Sequence, residues 1–261
     1  MPPILTLTTD FGQNDPFVGI MKGVILNIAP TAQIVDLTHQ IEPQNITQAA
    51  QIIKSASSWF PKGTVHLAVV DPGVGGPRRP IAVRAGKHYL VGPDNGIFSA
   101  TIDSKSKTYE LTEKKYFLKP LSSTFHGRDL FAPAAAWIAK GIPLTKMGRP
   151  VENPVILKLP QPTMKNGKLE GEIIHIDRFG NLTSNISAGL LQETFRNFEQ
   201  LKISIGKKQT YGPVTRYNQC ETGEIAGIIN SWDHLEIFCR EGNAARKLKC
   251  RAGAKVTVAT H

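Results

Sequence analysis

The chain has 261 residues, 41% hydrophobic and 20% charged, the composition of an ordinary water-soluble globular protein with core enough for one or two domains. A net charge of +10 raises the question of nucleic acid, but residues 1–101 carry 7 Lys/Arg against 6 Asp/Glu and residues 102–261 carry 24 against 15, scattered among acids and without a binding motif. No run approaches the roughly 18 apolar residues of a membrane span, so neither nucleic acid nor membrane is expected as a partner.

ILTLTT (4–9) reads as a buried strand ending in Asp10. Asp15 and Pro16 form a helix start, since Asp caps and Pro suits a first turn, and FVGIMKGVILNIA continues it. IVDLT (34–38) is a second strand. Asn45 is expected to cap a second helix, with Ile46, Ala49, Ala50, Ile53 and Ala56 at helical spacing. TVHLAVVD (64–71) gives a third strand, and IAVRA with HYLVG a hairpin or neighbouring pair. DLFAPAAAWIAKG (129–141) reads as a helix ended by Gly141. This alternation argues for a layered α/β domain with a largely parallel sheet.

The tract from 142 to 168 holds five prolines and no long periodic run, so it reads as a linker with one strand in VILKL. After it come LEGEIIHID, LKISIG, EIAGIIN, HLEIFC and KVTVAT, short β runs separated by Gly/Asn turns, with one helical insert, AGLLQETFRNF. The expected organisation is an α/β domain over 1–150, a linker over 151–168 and a β-barrel-like domain over 169–261. Cys220, Cys239 and Cys250 are odd in number and lack CxxC spacing, which fits reduced thiols. MPPILTLTTDFG has no basic segment before its apolar run, so a secretory signal is not expected and the default location is cytoplasmic.

Open parallel sheets bind ligands beyond the carboxyl ends of their strands. Two strands end there in an acid, Asp10 in TTDFGQND and Asp71 in VVDPGVGGPRRP. Each alone is as readily a turn former as a ligand, but both are followed by glycines that let backbone approach closely. In STFHGRDLF, His126, Gly127, Arg128 and Asp129 precede a helix, and a loop histidine beside a capping Asp129 is the simpler explanation. In HIDRFGNLTSNIS, a hairpin turn explains Gly180 and Asn181, but not an apolar Phe179 between Asp177 and Asn181. Such a pair suits stacking on a purine and hydrogen bonding to it. CREGNAARK adds small residues that expose backbone amides. There is no GxGxxG, P-loop, HExxH or GxSxG motif.

Together, TDFGQNDPFVGIMKG, VVDPGVGGPRRP, VGPDNG, TFHGRDLFAPAAA, IDRFGNLTSNI and NSWDHLEIFCREGNAA resemble, in order and nearly end to end, the S-adenosylmethionine (SAM) hydroxide adenosyltransferases. These are also called SAM hydrolases and are relatives of the SAM-dependent fluorinase and chlorinase. The resemblance implies an N-terminal α/β domain and a C-terminal β-barrel-like domain. It also implies a homotrimer with active sites between one subunit's N-domain and its neighbour's C-domain. By position, Asp10 would bind the ribose hydroxyls, and Asp15 and Asp177 the methionine ammonium. Phe179, Asn181 and the Ala244 backbone would contact adenine, and Ser231 would lie near the methionine carboxylate. Asp94 and Asn95 complete the substrate-binding set. Trp232 stands where the halogenases have an arginine, and Gln44 where they have a tryptophan beside the ribose.

The catalytic set the resemblance implies is Asp71, Arg78 and His126, with Arg79 left as a surface or interface charge. The halogenases have a tyrosine at Asp71, a serine at Gly127 and an insertion near AVRAGKHYLVG; all three differences place this chain with the water-using branch. The implied reaction is SAM plus water giving adenosine and L-methionine, by in-line attack on the ribose 5′ carbon, with no metal and no cofactor. Arg78 would favour developing hydroxide, while either Asp71 or His126 would take the proton. A halide-using SAM transferase and a non-catalytic SAM- or adenosine-binding protein are the alternatives.

Overall fold

Continuous apolar runs become the inner strands of a layered first unit. Residues 2–197 and 200–260 are described by the computed structural model, and the chain divides into Met1–Leu159 and Pro160–His261. The first unit contains β1 (Ile4–Thr9), α1 (Phe17–Ile28), β2 (Gln33–Thr38), α2 (Ile46–Ser57), β3 (Val65–Val69), β4 (Pro80–Ala85), β5 (His88–Pro93), β6 (Lys107–Leu111), α3 (Ala132–Ala139) and β7 (Gly148–Val151). Its sheet runs β2-β1-β3-β5-β4-β6-β7. The β2, β1, β3 and β5 half is parallel, whereas β4, β6 and β7 add antiparallel pairs, so the expected parallel sheet occupies one half. Only the β4–β5 pair follows from a short link, residues 86–87, whereas β6 and β7 join the sheet through longer connections.

Side-chain alternation builds a core on each face. Val65, Leu67 and Val69 of β3 pack with Met21 and Ile25 of α1 and the alanines of α3. Ala68 and Val70 face the other way, toward Ala49 and Ile53 of α2. Helix α1 buries Val18, Met21 and Ile25 at helical spacing, and Asn45 caps α2 by accepting the Gln48 amide at 2.9 Å.

Some local expectations are corrected. Asp15 does not cap α1, because Pro16 occupies the cap position, where there is no side-chain bond, leaving Asp15 exposed one residue further back. Asp129 does not cap either. It lies inside a π-helical turn, Gly127–Phe131, that runs straight into α3. VILKL is not a strand: Leu157 packs over Gly96 and its amide donates to Ser99 Oγ at 2.8 Å. Much of the proline-rich tract is thus fixed to the first unit by side chains.

The second unit comprises β8 (Thr163–Lys165), β9 (Lys168–Ile176), β10 (Leu182–Ser187), α4 (Ala188–Thr194), β11 (Leu201–Ile205), β12 (Lys208–Gly212), β13 (Ile225–Ile229), β14 (His234–Cys239), α5 (Ala244–Leu248) and β15 (Lys255–Thr260). The strands run β12-β11-β15-β9-β10-β14-β13, with β8 paired to β9. An isolated bridge between Val214 and Ile228 brings the chain just after β12 against β13, nearly closing a barrel around Leu169, Ile173, Ile203, Leu235, Ile237 and Val256. The helical insert forms as α4; Phe198, at the end of the expected helix, lies outside the described residues.

Candidate active site

In the first unit, Asp71 lies two residues past β3, Arg78 two residues before β4, and His126 opens the π-helical turn. Arg78 Nε donates to both Asp71 carboxylate oxygens at 3.0 Å, Nη2 makes a further short bond to Asp71 Oδ2, and Nη2 also meets His126 Nδ1 at 2.8 Å. The Asp71 and Arg78 side chains are only 4% and 10% exposed, so this ion pair is little screened by water. A guanidinium only donates, so His126 Nδ1 accepts and its proton sits on Nε2 in the neutral ring. Burial, then the Arg78 charge, pushes the His126 pKa below the usual imidazole value, against weaker pulls from Asp71 and Asp129. The cluster therefore presents a cation and a neutral imidazole at neutral pH.

The sequence folds this way because two loops interlock. Gly75 has φ +76°, and a Cβ there would run into the Ser123 carbonyl of the loop leading to His126. Phe131, fully buried, lies under Arg78 with the guanidinium carbon 5.2 Å from its ring centroid. Gly127 is also crowded: a Cβ would lie 3.1 Å from Met21 Sδ and 3.2 Å from the Phe125 ring. Arg128 turns away from the cluster, pairing with Asp129 at 2.6 Å and covering Phe125.

Arg79 is not a free surface charge. Its Nε donates to Asp94 Oδ2 at 2.8 Å, and Nη2 donates to the Asn153 carbonyl at 2.7 Å. Consecutive residues of extended chain point to opposite sides, which sends Arg78 to Asp71 and Arg79 to Asp94. Asp94 also accepts the Val155 amide at 2.8 Å and is almost wholly buried. Asn95 donates to the Val70 carbonyl at 2.8 Å and accepts the Ile97 amide at 3.2 Å. These two expected substrate ligands therefore spend their side chains on protein groups. Asp10 directly follows β1 and accepts the Gln44 amide at 2.9 Å, with Gln44 at φ +66°.

In the second unit, Asp177 Oδ1 accepts the Asn181 amide at 2.8 Å and Oδ2 the Asn181 side-chain amide at 3.0 Å, closing the β9–β10 hairpin. Gly180, at φ +85°, is covered by Asn243, which caps α5 just ahead of the fully buried Ala244. Phe179 stands 74% exposed at the rim of an 840 Å³ cavity lined also by Asp177, Asn181, Tyr217 and Asn243. A second cavity, of 470 Å³, shares Asp177 and Tyr217 and reaches Ser231, Trp232 and Glu236. Both volumes lie in the range of about 300–1,000 Å³ typical of small-molecule sites. Ser231 is exposed at the β13–β14 turn, which Asn230 closes by accepting the Trp232 and His234 amides at 3.0 and 3.2 Å.

Sequence reasoning missed the polar floor of that second cavity. Glu236 accepts from the Tyr217 hydroxyl at 2.9 Å and from the Asn230 side chain at 3.0 Å, and Asn230 also reaches Thr183 at 3.1 Å. Burial raises the Glu236 pKa, and burial together with Glu236 pushes the Tyr217 phenol up to about 12. One signal was present: Glu236 interrupts the otherwise apolar run LEIFC in a strand buried on both sides of it.

The fold and the two sets of side chains define a two-unit α/β and β-barrel protein with an acid–arginine–histidine cluster beyond its strand ends. Residues 5–148 match the SAM hydroxide adenosyltransferase N-terminal domain and residues 171–257 the corresponding C-terminal domain, and the chain belongs to that family. It is 38% identical to an (R)-S-adenosyl-L-methionine hydrolase of Salinispora arenicola, over 98% of this chain and 97% of the relative. An (R)-S-adenosyl-L-methionine hydrolase of Thermus thermophilus is 35% identical over 98% of this chain and 99% of the relative. A fluorinase of Actinoplanes sp. is more distant, at 27% over 98% and 97%. Among solved structures, an uncharacterized conserved protein from Thermotoga maritima superposes with a TM-score of 0.90 at 33% identity, covering 98% of this chain and 99% of its own.

Proposed function

We propose that this protein hydrolyses SAM to adenosine and L-methionine. The carrying observation is the Asp71–Arg78–His126 cluster at the strand ends, and the names of the similar hydrolases support the reaction. The oxygen of water forms a bond to the ribose 5′ carbon as the C5′–S bond breaks. The bonding pair goes to sulfur, turning a sulfonium into a neutral thioether that needs no proton. Bulk water has a pKa of about 15.7, so the demand falls on the nucleophile. Arg78 stabilises the developing hydroxide. His126 Nδ1 is engaged by Arg78, so its Nε2–H serves to orient water, and the Asp71 carboxylate receives the proton before passing it to solvent. Alignment of water and C5′ supplies a large share of the rate, up to roughly 7–11 kcal/mol in well-ordered systems.

Asp10 and Asp15 supply carboxylates for ribose and ammonium in the first unit. Asp177, Phe179, Asn181, Ser231 and the Ala244 backbone supply ammonium, adenine and carboxylate contacts in the second. A homotrimer that brings these two sets together between neighbouring copies is part of the proposal, as is a cytoplasmic location. The latter is supported by three free cysteines and by the finding that no helix among the described residues is long and apolar enough to cross a membrane. The reaction requires no metal or cofactor in this reading. A halide-using reaction is disfavoured, because a carboxylate at position 71 repels an anionic nucleophile. Chromatography of SAM incubated with the pure protein tests the reading: equal adenosine and methionine support it, while intact SAM, or a 5′-halo-adenosine formed in chloride or fluoride, opposes it.

A further inference from the structure

The structure assigns Asp94 and Asn95 as positioning residues that hold the Asp71–Arg78 pair in register, rather than as substrate ligands. The inference rests on the proposed hydrolysis for its kinetic consequence, but its geometry stands independently. In the sheet, β5 lies between β3, which is parallel to it, and β4, which is antiparallel. Asp71 extends β3 and Arg78 precedes β4, so the chain that joins them crosses the carboxyl end of β5. The two residues just past that end grip both neighbours.

On one side, Asn95 Nδ2 donates to the Val70 carbonyl at 2.8 Å, fixing the peptide that leads into Asp71. On the other, the Asp94 amide donates to the Arg79 carbonyl at 2.8 Å, one step beyond the Pro80–Pro93 pair. The Asp94 carboxylate then takes the Arg79 guanidinium and, through the Val155 amide, ties it to the segment after β7. Arg79 cannot rotate without leaving the buried Asp94 carboxylate unpaired, and Arg78, its neighbour, then faces Asp71. Asn95 Oδ1 is itself fixed by the Ile97 amide. Asp94 is buried and Asn95 partly so, and side chains whose bonds are directed into protein are poorly placed to contact substrate and well placed to transmit alignment.

The experiment uses Asn95→Asp, which keeps the Oδ1 acceptor for Ile97 but loses the donor to Val70, and Asp94→Asn, which keeps an acceptor but loses the charge paired with Arg79. Thermal melts confirm folding, and Asn95→Ala serves if Asn95→Asp melts early. The expected result is kcat lowered by roughly 10- to 100-fold with KM for SAM within about twofold, since misplacement by about 1 Å can cost 10²-fold. A second readout needs no turnover: NMR titration of His126 shifts upward toward ordinary imidazole values as Arg78 loosens, leaving Asp71 and Asp129 to act on it. Folded variants with unchanged kcat and an unchanged His126 titration overturn the assignment. So does a raised KM at constant kcat, which marks direct substrate contact. If the wild-type protein leaves SAM intact, the hydrolase reading fails while the His126 titration still judges the clamp.

Discussion

Arg78 is bound simultaneously by Asp71 and His126, donating to both carboxylate oxygens on one side and to Nδ1 on the other. The pair is nearly solvent-free, so removing either charge leaves the other buried and unmatched. Arg78→Lys replaces a planar fork with a single ammonium that cannot serve Asp71 bidentately while meeting His126. We expect Asp71→Asn and Arg78→Lys to lower kcat by about 10²–10³-fold, the scale of a lost charge-stabilising contact. Steady-state SAM hydrolysis measures this, and wild-type turnover in both removes the pair from the chemistry.

The same contact sets the acid limb of the pH profile. Protonating His126 loses the bond from Arg78 and places two cations together. Its pKa is already lowered by burial and by Arg78, so the neutral, working ring persists below pH 6.5. Activity is therefore expected to hold as pH falls to that value and to decline only at the lower folded pKa. In Asp71→Asn, which removes a charge that raises the His126 pKa, the limb should move further down, readable as log kcat/KM against pH.

Stability has a separate acid limb, set by a histidine of β3 that the cluster does not use. His66, 1% exposed, bonds through Nδ1 to Thr6 Oγ1 at 2.8 Å, and its ring centroid lies 5.0 Å from that of His88. Burial, with the His88 charge, lowers its pKa from 6.5 to about 4. The unfolded chain thus binds a proton that the folded chain refuses, so stability is complete above 6.5 and falls as pH drops toward 4. A shift of that size amounts to about 3 kcal/mol. Denaturant melts at pH 7 and pH 4.5 should show the loss, and His66→Gln should flatten the slope over that window; an unchanged slope rejects the assignment.

Phe179 and the turn that carries it test the second unit. An aromatic ring 74% exposed beside an 840 Å³ cavity is available for stacking, which is worth about 1–3 kcal/mol per base. Phe179→Ala is expected to raise KM for SAM by about 10- to 100-fold at near-constant kcat and leave the melting temperature unchanged. Gly180→Ala should do more damage, because φ is +85° and Asn243 fills the space. Equal KM values in Phe179→Ala and wild type would separate this residue from the adenine.

Elements were legible where the signal is local. The apolar runs gave β1, β3 and β14, and Asn45 marked the start of α2, because periodicity and capping act over a few residues. VILKL misled for the same reason: its apolar side chains suggest a strand, but Leu157 is recruited by Gly96, sixty-one residues earlier, and Ile156 stays exposed. Within the site, Asp71 stood out as a strand-end acid and His126 as a loop histidine, but they were joined to Arg78 as one set only through family resemblance, since nothing local separates Arg78 from Arg79. The separation comes from Asp94, fifteen residues beyond Arg79. Glu236 escaped notice because its partners, Tyr217 and Asn230, come from other segments of the barrel.

The central claim, that this site directs water to the 5′ carbon, is tested most directly with ¹⁸O-enriched water. SAM turned over in it by the wild-type protein should yield adenosine carrying one ¹⁸O at the 5′ oxygen, with an equal amount of unlabelled methionine by mass spectrometry. Intact SAM, or adenosine without the label, would contradict the account.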